Sequence, residues 1–168
     1  MTKLNSYLGL IRFYNPIGFW LLLWPGLWGL FLSDNFNIEN FTIVVLGSFL
    51  TRSLGCAIND FLDKDFDKSV ERTKNRPIAS KELSLSEAGI FIILLASVCI
   101  FLLMQTNPYT IKLVSYVAIP MIILYPLMKR FLAMPQLFLG ATFGLSLPIS
   151  YSIAESTLSL EVIFLYIG

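Results

Sequence analysis

Residues 41–58, FTIVVLGSFLTRSLGCAI, run without a break into residues 59–67, NDFLDKDFD. The first segment has the length and apolarity of a bilayer-crossing helix, which needs roughly 17–25 residues. The second sets an asparagine and four aspartates at its exit, in a chain where only 14% of residues are charged. Asn59, Asp63 and Asp67 stand four apart, so on a helix they stack on one face, a turn from each other. Carboxylates at that spacing repel, and a solvated helix gains nothing from them. A hard cation reverses the sign of the interaction, because oxygen-only ligands suit Mg²⁺, which leaves part of its shell to phosphate oxygens and water. Lys64, Lys68, Arg72, Lys74 and Arg76 follow at once and supply the positive charge that a phosphate requires. We therefore expect a diphosphate–magnesium site at the mouth of a membrane protein. A charge-mixed solvated loop, with Lys64 and Lys68 paired to neighbouring acids, explains the cations but not the concentration of aspartates.

Composition supports the membrane. Of 168 residues, 56% are hydrophobic, above the 45–50% typical of soluble domains, and the mean hydropathy is +0.73. No basic stripe with interleaved aromatics runs along the chain, so nucleic acid is not an expected partner. Histidine is absent, which argues against the usual zinc and haem sites and against histidine-based triads. Cys56 and Cys99 lie in apolar runs without metal-ligand spacing and read as small buried hydrophobes rather than a disulfide. Lys3 and Arg12 precede the first apolar run, but no small-residue cleavage site follows it, so a retained first span is expected.

Expected spans are Ile17–Leu32, Phe41–Ile58, Gly89–Leu103, Ile111–Met128 and Gln136–Ile153, with a sixth starting near Leu158. Lys64, Lys68, Arg72, Lys74, Arg76 and Lys81 fall in the second connection, and Lys129 and Arg130 in the fourth. The first, third and fifth are marked instead by Asp34 and Glu39, by Asn107 and Pro108, and by Glu155. The positive-inside rule then puts the N-terminus and the second and fourth loops in the cytoplasm. Ser84, with Glu87 three residues on, forms a capping box that starts the third span early. The Arg76-Pro77 step breaks any continuous helix across the aspartate-rich loop, residues 59–83. Arg52 sits seven residues before Asn59, on nearly the same face, at a depth where an arginine is costly unless it meets a cavity or partner. It either reaches the phosphate site or snorkels to the interface.

Asn59-Asp60-x-x-Asp63-x-x-x-Asp67, followed by Arg72-Thr73-x-Asn75-Arg76-Pro77-Ile78, resembles the first aspartate-rich motif of the UbiA family of membrane aromatic prenyltransferases. The similarity is greatest to the branch that prenylates 4-hydroxybenzoate in ubiquinone biosynthesis. Further agreement lies in Pro16-Ile17-Gly18, Leu21-Leu22-Leu23-Trp24-Pro25, Arg52-x-x-Gly55-Cys56-x-x-Asn59 and Tyr125-Pro126-x-Met128-Lys129-Arg130-Phe131 with Pro135-Gln136-Leu137. Asn15 departs from the pattern, since the family commonly carries lysine there.

The resemblance implies an all-α polytopic bundle, here five spans and part of a sixth out of about nine in the family. It implies Mg²⁺ as cofactor, polyprenyl diphosphate and 4-hydroxybenzoate as substrates, and a bacterial inner membrane as location. Metal ligation falls to Asn59, Asp60, Asp63 and Asp67, and catalysis to Asp63, Asp67 and Arg72. Substrate binding falls to Arg52, Lys68, Lys74, Arg76 and Tyr125. Phe13, Tyr14 and Tyr125 are candidates to face an allylic cation, with a purely structural role as the equal alternative for each. The family carries a second aspartate-rich motif on a later loop, and nothing after Met134 matches it. A C-terminally truncated chain is thus expected, inactive or weak alone, a silent fragment or one that joins a complementary C-terminal piece. A small transporter using Arg52 and the acids is a further alternative, but it leaves Asn75-Arg76-Pro77 unexplained.

Overall fold

The computed structural model describes residues 2–124 and 135–168. Every regular element among them is helical. In chain order these are α1 (Lys3–Leu10), α2 (Ile17–Phe31), α3 (Ile38–Leu62), α4 (Lys64–Asp67), α5 (Leu85–Leu103), α6 (Pro108–Leu113), α7 (Pro135–Gly144), α8 (Ser146–Glu155) and α9 (Leu160–Ile167). A π-helical turn, Val114–Ala118, continues α6. The apolar helix as a whole runs Pro108–Leu124.

Among the described residues, three helical stretches are long and apolar enough to cross a membrane: Ile38–Leu62, Leu85–Leu103 and Gln136–Glu155. Ile17–Phe31 and Pro108–Leu124 are apolar but shorter, at the positions expected for the first and fourth spans. α3 has 25 residues, about 37 Å at 1.5 Å per residue, against a hydrocarbon layer of about 30 Å. That is about a turn more than the layer requires, and the C-terminal end of α3 carries Asn59 and Asp60. Trp20, Trp24, Trp28, Ile93 and Phe101 are exposed, as lipid-facing side chains are. The chain is an integral membrane protein.

Two compact units partition the residues. One comprises Met1–Gly18 with Leu50–Ile100, the other Phe19–Phe49 with Phe101–Gly168. In the first, Leu10 of α1, Ala57 of α3, Ile78, Leu83 and Ala88 of α5 form a buried cluster, flanked by Tyr7, Phe61 and Phe91. The expected capping box starts α5: the Ser84 N–H donates to Glu87 Oε2 at 2.9 Å, and the Glu87 N–H donates back to Ser84 Oγ at 3.2 Å. Residues 68–83 hold turns and bends but no regular helix, as the Arg76-Pro77 step requires. Cys56 and Cys99 are both free thiols, Cys56 buried and Cys99 half-buried.

In the second unit, Leu23, Leu30 and Val44 pack with Phe19, Leu27 and Phe41. α2 and α8 approach so closely at Gly29 that an added Cβ would meet the Leu147 carbonyl oxygen at 2.1 Å. Glu155, isolated in sequence, accepts the Asp34 and Asn35 backbone N–H groups at 2.9 and 3.1 Å. Asn107 caps α6 by accepting the Thr110 N–H at 2.9 Å, and its amide donates to the Ser152 carbonyl at 2.7 Å.

Candidate metal and phosphate site at the end of α3

The first unit brings together most of the residues singled out in the sequence. α3 ends at Leu62 and α4 begins at Lys64, with Asp63 between them at φ −91°, ψ 7°. The hydrogen-bond ladder nevertheless continues through the break. The Asp63 N–H donates to the Asn59 carbonyl at 2.9 Å, and the Asp67 N–H to the Asp63 carbonyl at 2.8 Å. Asn59, Asp63 and Asp67 thus keep successive-turn spacing although the helix is interrupted. Asn59 and Asp63 are half-buried, and Asp67 is buried.

Asp60 is set apart from this ladder. Its side chain is 1% exposed, and Oδ1 accepts from Arg12 Nη2 at 2.7 Å and lies 3.1 Å from Arg76 Nη1. Asp60 Oδ2 is buried with no hydrogen-bond partner. The same Arg76 Nη1 donates to Asp67 Oδ2 at 2.7 Å. Two arginines and two aspartates therefore form one charge-balanced network. Arg76, expected on the phosphate, is already engaged by two carboxylates, and Asp60, expected among the metal ligands, faces guanidinium groups.

Arg12, absent from the candidate set, reaches this network from an unusual backbone position. Its φ is 59°, the left-handed region that L-residues visit at a cost of about 1–2 kcal/mol. The Arg12 N–H donates to the Gly9 carbonyl at 3.1 Å and the Phe13 N–H to the Leu8 carbonyl at 3.0 Å. Those bonds are a Schellman motif closing α1, with Arg12 at the position where glycine is usual. No spacing rule links Arg12 to Asp60. The signal available in the sequence was an arginine between a short helix and Pro16.

Thr73 and Pro77 fix the segment that presents Arg76. Thr73 Oγ1 donates to the Asp67 carbonyl at 3.1 Å, and a Cβ added at Gly9 would stand 3.3 Å from Pro77 Cγ. α1 also holds this segment through Ser6, whose hydroxyl donates to Glu82 Oε2 at 2.8 Å, and contacts the start of α5 through the Lys3–Glu87 ion pair. Between α1 and residues 72–82 lies a cleft of about 870 Å³, lined by Arg12, Tyr14, Asn15, Arg72, Asn75 and Arg76 among others. Arg72 is exposed and has no ion pair or hydrogen bond from its side chain among the described residues.

The remaining candidates are dispersed. Lys68 bonds Asp65 at 2.8 Å and Lys74 bonds Glu71 at 2.6 Å, both on the surface. The Lys68 ammonium, through that hydrogen bond, holds the Asp65 carboxyl below its ordinary value. Arg52 is half-buried, and a Cβ at Gly18 would stand 2.0 Å from its Nε. Glycine in Pro16-Ile17-Gly18 thus makes room for the Arg52 guanidinium. Tyr125, with the Lys129-Arg130 segment, lies outside the described residues.

Among the described residues no three carboxylates or thiols converge as a ready metal cluster. The chemistry of the ladder nonetheless suits Mg²⁺: one amide and two carboxylates offer hard oxygens and leave positions for diphosphate and water. Asp67 keeps its Oδ1 outside the Arg76 hydrogen bond.

Bilayer-length helices with an oxygen-bearing ladder and an arginine-lined cleft define an integral membrane protein whose polar machinery collects about the C-terminal end of α3. Residues 22–168 match the model of the UbiA prenyltransferase family, and the chain belongs to that family. It is 42% identical to the 4-hydroxybenzoate octaprenyltransferase of Polynucleobacter asymbioticus, over 99% of this chain and 58% of that protein. Identity to the Vibrio atlanticus protein of the same name is 41%, over 99% of this chain and 59% of the relative. The chain thus spans a little over half the length of the curated relatives it matches. A structure from work on digeranylgeranylglyceryl phosphate synthase superposes with a TM-score of 0.80 at 25% identity, covering 99% of this chain and 58% of that one. A UbiA homologue from Archaeoglobus fulgidus, bound to GPP and Mg²⁺, gives a TM-score of 0.75 at 19% identity, over 96% of this chain and 58% of its own.

Proposed function

We propose that this chain supplies the allylic-diphosphate part of a prenyl-transfer site that joins a polyprenyl group to 4-hydroxybenzoate. The observation that carries it is the ladder Asn59–Asp63–Asp67, unbroken in its hydrogen bonds as it runs off the end of an apolar helix of bilayer length. A polyprenyl tail is too apolar to leave the hydrocarbon layer, so its diphosphate must be met where α3 emerges. Asn59, Asp63 and Asp67 are the proposed holders of Mg²⁺, which neutralises charge on the departing diphosphate when bound. Arg72 and Lys74 are the proposed diphosphate contacts, Arg72 foremost because its planar fork of donors matches phosphate oxygens and no described residue occupies it, while Arg76, expected on the phosphate, stays with Asp60 and Asp67. Arg52 and Lys68 extend the set on either side, and Tyr14 is available from the cleft.

In the overall reaction the bond from prenyl C1 to the diphosphate oxygen breaks, and its electron pair leaves with diphosphate. A carbon–carbon bond forms from C1 to the ring carbon ortho to the hydroxyl of 4-hydroxybenzoate, and that ring carbon loses its proton. The chain's own side chains bind and orient the leaving group, and Thr73 and Pro77 keep the arginine segment in register with the ladder. By charge asymmetry, α1 and residues 60–83 face the cytoplasm of a bacterial inner membrane. No feature of the described residues favours the transporter alternative, whereas the family match explains Asn75-Arg76-Pro77.

Equilibrium dialysis of the purified chain in detergent micelles against radiolabelled geranyl diphosphate is the test, run with Mg²⁺ and with excess EDTA. Binding that needs Mg²⁺ and disappears in Asp63→Ala is expected. Equal retention in both buffers, or in both proteins, would refute the assignment. Adding 4-hydroxybenzoate and looking for the prenylated acid by mass spectrometry tests the acceptor.

A further inference from the structure

We infer that Asp60 and Arg12 are positioning residues rather than ligands: through Arg76 they set the orientation in which Asp67 is offered to the metal. This rests on the metal–diphosphate reading above. Asp60 Oδ1 is taken by two guanidinium groups, at 2.7 Å from Arg12 and 3.1 Å from Arg76. Its other oxygen is sealed from solvent, so an ion reaching it would have to shed its waters, which Mg²⁺ does reluctantly. Arg76 Nη1 is shared between Asp60 and Asp67 Oδ2. That hydrogen bond pins one carboxylate oxygen of Asp67 and leaves Oδ1 as the oxygen free for coordination.

Without Asp60, Arg76 would answer to Asp67 alone and would be free to turn into the cleft it lines. Without Arg12, Asp60 would draw Arg76 toward itself and loosen its hold on Asp67. Arg12 keeps its place at a backbone cost, φ 59° at a helix end where glycine is the usual residue. The ion pair with Asp60 is what that conformation secures.

Direct ligation and positioning predict opposite outcomes at Arg12. Were Asp60 a ligand, Arg12→Gln would release it and metal binding would hold or tighten; in a positioning network, binding weakens. The experiment is titration of the purified 168-residue chain in micelles with manganese(II) and geranyl S-thiolodiphosphate, followed by the loss of the free-ion EPR signal. Asp60→Asn and Arg12→Gln should each weaken manganese binding about tenfold, the lower edge of what loss of an outer hydrogen-bonding partner costs a metal site. Arg12→Lys should return to within about twofold of the parent, since it restores the charge facing Asp60. The double variant should be no weaker than the worse single, because both changes break one network.

Unchanged or tighter binding in Arg12→Gln, or losses that multiply to about a hundredfold in the double variant, would overturn the inference. If Asp60→Asn does not fold by circular dichroism, the Arg12→Gln and Arg12→Lys pair decides alone. A parent chain that binds no manganese with the analogue defeats the metal–diphosphate reading and the positioning role with it. A binding parent with uncoupled variants defeats the positioning role only.

Discussion

Replacing Arg76 by glutamine removes the one guanidinium that two aspartates share. The Arg76 side chain is 19% exposed, and its partners Asp60 and Asp67 are 1% and 5% exposed. Taking one partner from a buried ion pair costs about 3–5 kcal/mol, because the remaining charge is left without compensation. Asp60 retains Arg12, whereas Asp67 has no other side-chain donor among the described residues. One orphaned carboxylate rather than two places the expected loss near the lower end, about 3 kcal/mol, roughly a hundredfold in the folded-to-unfolded ratio. Denaturation of parent and variant in mixed micelles by increasing SDS, followed by far-ultraviolet circular dichroism, measures it. Lys74→Gln is the control, since its pair with Glu71 lies on the surface, where ion pairs contribute little. A loss below about 1 kcal/mol in Arg76→Gln, indistinguishable from the control, would show that water screens the network as it does a surface pair.

Gly29→Ala should destabilise the chain by about 1–3 kcal/mol or more, since the new methyl meets a backbone carbonyl that has nowhere to move. Gly18→Ala should behave differently, because the obstructing atoms belong to the flexible Arg52 side chain: the denaturation midpoint barely moves, while affinity for geranyl diphosphate with Mg²⁺ falls several-fold. Equal loss of stability in both variants would contradict this. The Asp65 carboxyl, lowered by its hydrogen bond with Lys68, should titrate below the usual aspartate midpoint in a ¹³C NMR pH series. A depressed folded value means the pair's stabilising contribution is present above the unfolded pKa and is lost as pH falls through the folded one. Lys68→Gln should bring the midpoint back up.

The apolar runs, the capping box at Ser84 and Glu87, and the break before Pro77 were legible because each depends on neighbours within a turn or two. The Asn59–Asp63–Asp67 spacing was legible for the same reason, and it survives the end of α3 because the ladder bonds span it. Site membership was less so. The fixed interval of four residues says that three side chains share a face; it cannot say that Asp60, one residue along, turns into the protein toward a guanidinium 48 positions away.

Local chemistry in the chain alone determined that helices cross a bilayer and that hard oxygens gather at one exit, since helical periodicity and transfer of apolar groups from water act residue by residue. Tertiary structure decided which charges face one another. Arg12 meets Asp60, and Arg76 bridges Asp60 and Asp67, only because α1 folds back onto the residues after α3 and buries Leu10 against Ala57 and Ile78. Burial is a collective property of packed elements, and it is burial that makes those two carboxylates choose guanidinium partners over water.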